Sequence, residues 1–127
     1  MALELGDGEV LALKEESTEE DGVWAPGRKR TLAGMVSYHT GSVVSRAIIS
    51  RKAGTITLFA FDKGEGLSEH TAPYDALLYV LEGKALVTVS GASSRLQKGE
   101  GMILPSGKPH SVKASTEFKM LLVMVRS

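Results

Sequence analysis

Short apolar segments separated by turn residues fill about two thirds of this 127-residue chain and constrain its fold more than any other feature. From residue 42 to the C-terminus, stretches rich in β-branched and aromatic side chains alternate with clusters of glycine, lysine, serine and proline, one of them at residues 91–94. The stretches read SVVSRAII, TITLFAF, DALLYVLEG, ALVTVS, MILP, HSVKA and EFKMLLVMV. This region has no helical period, and strands at this spacing predict an all-β sandwich or barrel.

Two motifs with glycine and histidine at fixed spacings lie within the same region. The first occupies residues 64–83, GEGLSEHTAPYDALLYVLEG, and reaches His70 after five residues. The second occupies residues 99–110, GEGMILPSGKPH, and ends on His110. Together they resemble the two motifs of the cupin family, which implies a double-stranded β-helix, or jelly-roll barrel.

The chain divides near residue 40. Residues 1–25 carry eight acidic side chains and one lysine, and the first forty residues match neither motif. We therefore expect an N-terminal arm or cap over residues 1–40 and one barrel domain over residues 41–127, since a chain of this length needs only one core. Trp24 is expected to pin the arm to the barrel through its large burial area, with contact to a ligand or a partner chain as the alternative.

The resemblance also implies a metal site, because cupin barrels usually bind a metal through two histidines and a glutamate of the first motif and one histidine of the second. In this chain those positions hold His70, Ala72, Ala76 and His110, so half of the ligand set is replaced by methyl groups. Catalytic zinc sites normally keep three protein ligands, and non-haem iron oxygenases use two histidines and a carboxylate. A divalent metal at His70 and His110 therefore needs a third ligand.

The third ligand has few sources. The side chains that could supply it are Glu69, Asp75, Tyr74 and His39, and an atom of the substrate is the remaining source. Glu69 and Asp75 are each one residue away from the inward positions, so alternation along a strand turns them outward. Tyr74 shares the parity of Ala72 and is the best-placed substitute. Whether a metal binds is left open by the sequence.

Alternation along the strands predicts the lining of the barrel interior, because side chains two residues apart point to one face. The predicted lining consists of His70, Ala72, Tyr74, Ala76, Leu78, Val80, Phe59, Met102 and His110. A mostly apolar pocket with a few polar groups is the usual form of a small-molecule site, so small-molecule binding is the leading hypothesis for function.

Two other kinds of function stay open. One is an enzyme, either a metal-dependent oxygenase or isomerase with a non-standard ligand set, or a metal-free isomerase in which the two imidazoles act as acid and base. The other is a structural protein in which the histidines have no role.

Charge and composition limit the partners. Lysine plus arginine equals aspartate plus glutamate at fifteen each, so no overall field favours nucleic acid or an anionic membrane. Cysteine is absent, which excludes disulfides and thiol catalysis and fits a cytoplasmic protein. The first residues are acidic and contain no long apolar run, so we expect neither a signal peptide nor a membrane span.

Some strands are apolar on both faces, notably residues 77–81 and 120–125. A strand with one face in water should alternate, so a second layer is expected over the outer face. A second subunit is the natural candidate, as the family resemblance also implies, and the sequence predicts a homodimer with two-fold symmetry. The alternative is that the N-terminal arm lies over this face.

Overall fold

Twelve strands and one short helix form the regular structure of the residues that the computed structural model describes, which are 2–4, 10–12, 14–15 and 24–126. The strands are β1 (Ala2–Glu4), β2 (Val10–Ala12), β3 (Lys14–Glu15), β4 (Val43–Arg51), β5 (Gly54–Phe61), β6 (Gly66–His70), β7 (Asp75–Glu82), β8 (Lys84–Val89), β9 (Ala92–Gln97), β10 (Gly101–Leu104), β11 (His110–Ala114) and β12 (Phe118–Val125). A 3-10 helix, Leu32–Met35, precedes β4. The predicted all-β fold is confirmed.

Two large sheets make up the barrel. The six-stranded sheet has the order β10-β7-β12-β5-β4-β3, and the four-stranded sheet has the order β6-β11-β8-β9. Neighbouring strands are antiparallel except for β3, which pairs with β4 in parallel. From β5 to β12 the chain crosses from one sheet to the other at every connection except the one between β8 and β9, and this order is that of the expected jelly roll.

Strand β7 shows how the sequence pattern creates the core. Ala76, Leu78 and Val80 are buried, whereas Leu77 and Tyr79 between them are each 39% exposed. The buried face joins side chains from both sheets into one cluster, which includes Phe59, Phe61, Leu67, Val87, Val112, Phe118 and Met120. The rings of Phe61 and Phe118 stack with their centroids 4.4 Å apart, a contact that fixes the order of β5 and β12.

The glycine that ends the first motif has a geometric reason. Gly83 has a φ of +78°, a conformation that L side chains rarely adopt, and it forms the one-residue turn between β7 and β8. A Cβ at this position would also collide with the backbone carbonyl of Glu117.

Within residues 42–126, two strands were not among the segments predicted from the sequence. Strand β6 contains one buried apolar residue, Leu67, and β9 contains one, Leu96. The prediction of a break at residues 91–94 is wrong, because β9 begins at Ala92 and pairs with β8 over its whole length. A polar strand at the edge of a sheet has almost no apolar pattern to detect, since its hydrogen bonds rather than its side chains hold it in place.

Residues 24–38, which we call the strap, cover part of the outer face of the six-stranded sheet. Met35 and Val36 are each 1% exposed and pack in a second apolar cluster. From the sheet this cluster takes Val44, Leu58, Ala60, Ile48, Leu81 and Leu121. Trp24 also packs there, and its indole N–H donates to the Arg28 carbonyl at 2.6 Å.

The strap covers only part of this outer face, and other apolar side chains of the face are exposed. The exposed large apolar side chains are Ile49, Leu77, Tyr79, Ile103 and Val125. Coverage by the arm, which was the alternative to a second subunit, therefore accounts for one part of the face, and the homodimer stays a prediction.

Charged side chains of the sheet hold the strap in place. The Arg46 guanidinium donates to the Met35 carbonyl at 2.9 Å, and Lys119 Nζ donates to the Ala33 carbonyl at 2.5 Å. Both acceptors belong to the 3-10 helix, whose carbonyl groups lack partners inside so short a helix. Lys119 Nζ also lies 3.5 Å from Glu82 Oε1. The other carboxylate oxygen, Glu82 Oε2, accepts a hydrogen bond from the Tyr38 hydroxyl at 3.0 Å. The strap is thus docked by paired polar groups as well as by apolar contact.

Candidate functional site

The two motif histidines lie side by side at one end of the barrel. His70 is the last residue of β6 and His110 the first residue of β11, and the two are paired in the antiparallel register. Their ring centroids are 4.3 Å apart and the ring planes meet at 70°. His110 is only 6% exposed, and His70 is half-buried. The pair results from strand pairing between residues forty positions apart, so no local pattern forms it.

Backbone carbonyls fix the orientation of both rings. His70 Nδ1 lies 2.7 Å from the Ser68 carbonyl oxygen, and His110 Nδ1 lies 3.0 Å from the Lys108 carbonyl oxygen. A carbonyl oxygen can only accept a hydrogen bond, so each Nδ1 carries a proton and donates it. In the neutral ring the lone pair is therefore on Nε2. Neither Nε2 has a hydrogen bond partner within residues 24–126.

Burial determines the charge of His110. It lowers the pKa of His110 below its ordinary value of 6.5, and the nearby His70 lowers it further, while the hydrogen bond to Lys108 opposes both effects. A lowered pKa keeps the His110 ring neutral at pH 7. Its Nε2 is then an acceptor and not a cation.

A narrow apolar cavity lies against the two rings. Its volume is about 30 Å³, which holds one or two water molecules. Its wall consists of His70, His110, Leu67, Ala72, Tyr74, Ala76, Leu104, Val112, Met120, Leu122 and Met124. Although Ala72 and Ala76 are small, the cavity is not wide, because long side chains of β12 lie along the same wall.

Two loops meet beside the histidines and are tied together. The Gly107 N–H donates to the Ala72 carbonyl at 2.8 Å, and the Ser106 N–H donates to Asp75 Oδ1 at 2.8 Å. These bonds connect the segment before β7 with the segment before β11. The loops of the two motifs therefore form one end of the barrel.

The structure brings together five of the nine residues predicted to line the interior. His70, Ala72, Tyr74, Ala76 and His110 all border the cavity. The other four do not, because Leu78, Val80 and Phe59 are fully buried in the core and Met102 packs against that core. They share the inward face, as alternation requires, but lie away from the cavity wall.

The predicted lining missed six residues of the wall, namely Leu67, Leu104, Val112, Met120, Leu122 and Met124. Alternation in EFKMLLVMV does put the last three on one face. Alternation does not reveal that Met124 pairs with Ala76. This pairing places the inward face of β12 next to the first motif.

The residues present do not fit a resident metal. Within the described part of the chain, no three or more His, Cys, Asp or Glu side chains lie close enough to share a metal ion. Glu69 is exposed, as alternation predicted, and Asp75 accepts the bond from Ser106. Tyr74 borders the cavity, so it is the one predicted substitute ligand found there. Two imidazole nitrogens alone are fewer ligands than a catalytic metal normally takes.

A larger depression lies elsewhere, on the outside of β8 and β9. Its volume is about 590 Å³, and its wall includes Lys84, Leu86, Arg95, Gln97, Glu100 and Ser115. None of the predicted site residues borders it. It is an open depression with exposed charged side chains, whereas the cavity at the histidines has a buried polar group in an apolar wall, so we regard the latter as the candidate site.

Comparison with known proteins agrees with the fold. A family model described as a cupin domain matches residues 57–126. Among curated proteins, the tetracenomycin polyketide synthase protein TcmJ of Streptomyces glaucescens is 27% identical over 75 residues, which are 58% of this chain and 50% of TcmJ. The chain thus spans half the length of the curated relative it matches.

Solved structures give the same result. A conserved protein of unknown function from Streptococcus pyogenes is 31% identical, with a TM-score of 0.78 over 82% of this chain and 91% of that one. A cupin superfamily protein from Desulfitobacterium hafniense is 27% identical, with a TM-score of 0.77 over 81% and 94% of the two chains. A cupin 2 conserved barrel domain protein from Leptotrichia buccalis is 42% identical, with a TM-score of 0.72 over 74% of this chain and 46% of that one. In the described part of the present chain, no helix is long and apolar enough to cross a membrane.

Proposed function

This chain belongs to the cupin family, and we propose that its barrel binds a small, mostly apolar molecule that carries a hydrogen bond donor. The observation that carries this proposal is the pair of Nε2 lone pairs. Each histidine uses its Nδ1 proton on a backbone carbonyl, so each presents an acceptor with no partner in the described residues. A hydroxyl, phenol or amide N–H supplies a donor to one of these Nε2 atoms.

The apolar wall determines the rest of the ligand. Apart from the two imidazoles and the Tyr74 hydroxyl, the side chains that border the cavity carry no oxygen or nitrogen. An apolar body is therefore favoured next to the donor. The curated relative is named for a polyketide synthase, and a polyketide has hydroxyl groups on a carbon skeleton, which is chemistry of this kind.

A ligand larger than water needs a larger cavity than the present one. Met120 and Met124 can make room for it by changing rotamer, because an unbranched thioether side chain has three rotatable bonds and adapts to a ligand at a low cost in free energy. Both methionines lie on the wall of β12 that faces Ala76 and the histidines. We expect binding to displace these side chains and leave the strand register unchanged.

Phenol and anisole form a matched pair of probes, since they share a ring but only phenol has a donor. Titration of the protein, followed by NMR of the histidine ring protons, should show saturable shifts with phenol and at least tenfold weaker binding of anisole. The His70→Phe, His110→Phe double variant should lose the preference. Equal binding of the two probes, or no saturable binding of either, would overturn the proposal.

The enzyme alternative can be tested directly. The Nδ1 contacts to backbone carbonyls are the orientation in which metal-binding histidines are commonly held, and this favours the metal-dependent oxygenase or isomerase as the second candidate. We nevertheless expect no stoichiometric metal, because the described residues lack a third ligand of the usual kind. Elemental analysis of the purified chain, loaded in turn with iron, zinc, manganese and nickel, should give the same metal content for wild type and a His70→Ala, His110→Ala variant. One metal per chain that disappears in the variant would instead establish a metal site.

A further inference from the structure

Arg126 directly follows β12 and contacts Tyr74, a residue of the cavity wall. Met120, Leu122 and Met124 border the cavity from alternate positions of β12, and Arg126 is the next residue in that row. The register pairs Met124 with Ala76 and Val125 with Asp75, so its continuation sets Arg126 against Tyr74. The side chains do meet, since the guanidinium carbon lies 5.3 Å from the centroid of the Tyr74 ring. Tyr74 itself borders the cavity.

The position of this arginine is fixed. Its backbone N–H donates to the Ala53 carbonyl at 2.8 Å, which continues the sheet one residue beyond β12. The aromatic face of Tyr74 attracts the cation and holds the guanidinium plane. This contact leaves the N–H edges of the guanidinium for other partners.

The described residues place no opposite charge beside Arg126. Among residues 24–126, no carboxylate lies within 4.0 Å of it, and the one hydrogen bond of its side chain, from Nη1 to the Arg51 carbonyl, is long at 3.4 Å. Its Nε is buried and has no hydrogen bond partner. A buried donor on a charged group is costly when unpaired, so an anion that reaches it is stabilised.

We infer that Arg126 and Tyr74 form an anion subsite at the mouth of the cavity, so that the ligand is a small carboxylate with an apolar body and a hydroxyl group. This inference rests on the proposed function, because the hydroxyl is the donor whose hydrogen bond a histidine Nε2 accepts. The carboxylate meets the planar fork of Arg126, which suits two parallel hydrogen bonds. The other nearby cation, Arg51, is exposed and adds positive potential near the subsite without forming part of it.

Two probes separate the subsite from the histidine site. Phenol carries the hydroxyl alone, and 4-hydroxybenzoate carries the hydroxyl and a carboxylate on the same ring. Calorimetric titration of wild type should give about tenfold tighter binding of 4-hydroxybenzoate, because its carboxylate adds a charge-assisted hydrogen bond that phenol lacks. The longer 3-(4-hydroxyphenyl)propanoate extends the reach from the ring to Arg126.

Variants of Arg126 provide the test. The dissociation constant of phenol should differ by less than twofold between Arg126→Gln and wild type, and Arg126→Gln should no longer bind either carboxylate more tightly than phenol. Arg126→Lys should keep part of this preference for the carboxylates. The matched control is Arg51→Gln, which removes a neighbouring exposed charge and should keep the preference. Thermal unfolding of each variant checks that the fold is intact.

The outcomes are distinct. Phenol binding without a preference for either carboxylate in wild type, or a preference that survives in Arg126→Gln, overturns the subsite and leaves the histidine site standing. Absence of binding by all three compounds overturns the proposed function and the subsite with it.

Discussion

The interior cavity and the outer face beneath the strap both place polar groups against apolar walls, but they use them in opposite ways. Under the strap, Arg46 and Lys119 donate to carbonyls of the 3-10 helix, and Tyr38 donates to Glu82. In the cavity, each histidine satisfies one ring nitrogen and leaves the other without a partner in the described residues. Satisfied polar groups stabilise a fold, whereas acceptors left open beside a cavity are available to a ligand.

A second contrast lies within the outer face itself. Beneath the strap the apolar side chains are covered, and beyond it a row of exposed or half-buried apolar side chains crosses five strands in register. This row consists of Ile103, Leu77, Val123, Ile56 and Ile49. Ile103 is 59% exposed and Leu77 39%. The strap is thus too short to cover the face, and the predicted second subunit has a specific place to pack.

The largest expected effect is on the association of two subunits through this outer face. In a two-fold dimer every substitution acts twice, so Leu77→Glu should weaken association by roughly 4–6 kcal/mol, because two charges are buried without partners. Light scattering after gel filtration should show a dimer for wild type and a monomer for Leu77→Glu. Lys113→Glu, an exposed position on the four-stranded sheet, is the control and should stay dimeric. A monomeric wild type at 100 μM would remove the homodimer from consideration.

The next effect concerns the strap. Lys119→Ala removes the donor to Ala33 and the ion pair to Glu82 in a site where the lysine side chain is only 11% exposed. We expect a loss of about 2–3 kcal/mol in the free energy of unfolding, measured by urea denaturation. Lys113→Ala should change it by less than about 0.5 kcal/mol. A similar small change in Lys119→Ala would mean that apolar contact alone docks the strap.

The smallest effect is the pH dependence that His110 contributes. Because its pKa is lowered in the folded state, the unfolded chain binds more protons just below pH 6.5. The stabilisation is therefore present above pH 6.5 and is lost as pH falls through the folded pKa, by at most about 1.4 kcal/mol per pH unit. Urea midpoints between pH 7.5 and 5.0 should fall more steeply for wild type than for His110→Gln. If the urea midpoints of wild type and His110→Gln changed equally with pH, the burial of the His110 ring would be contradicted.

Local pattern was sufficient for the strands with a buried face. Ala76, Leu78 and Val80 alternate with exposed neighbours, as expected of a strand between core and surface. The pattern failed for β9, whose single buried residue, Leu96, gives no period to detect. It also failed for the cavity wall beyond the motifs, because Met124 reaches the site only through its pairing with Ala76.

The sequence by itself determined that the chain is an all-β cupin barrel and that His70 and His110 occupy its two motifs, since both conclusions depend on spacing along the chain. Only the tertiary structure decided that the cavity is narrow, that neither Nε2 has a hydrogen bond partner within residues 24–126, and that Arg126 lies against Tyr74. These features depend on strand register and on contacts between residues tens of positions apart. Alternation indicates which face a side chain occupies, but it does not indicate which other side chain it meets there.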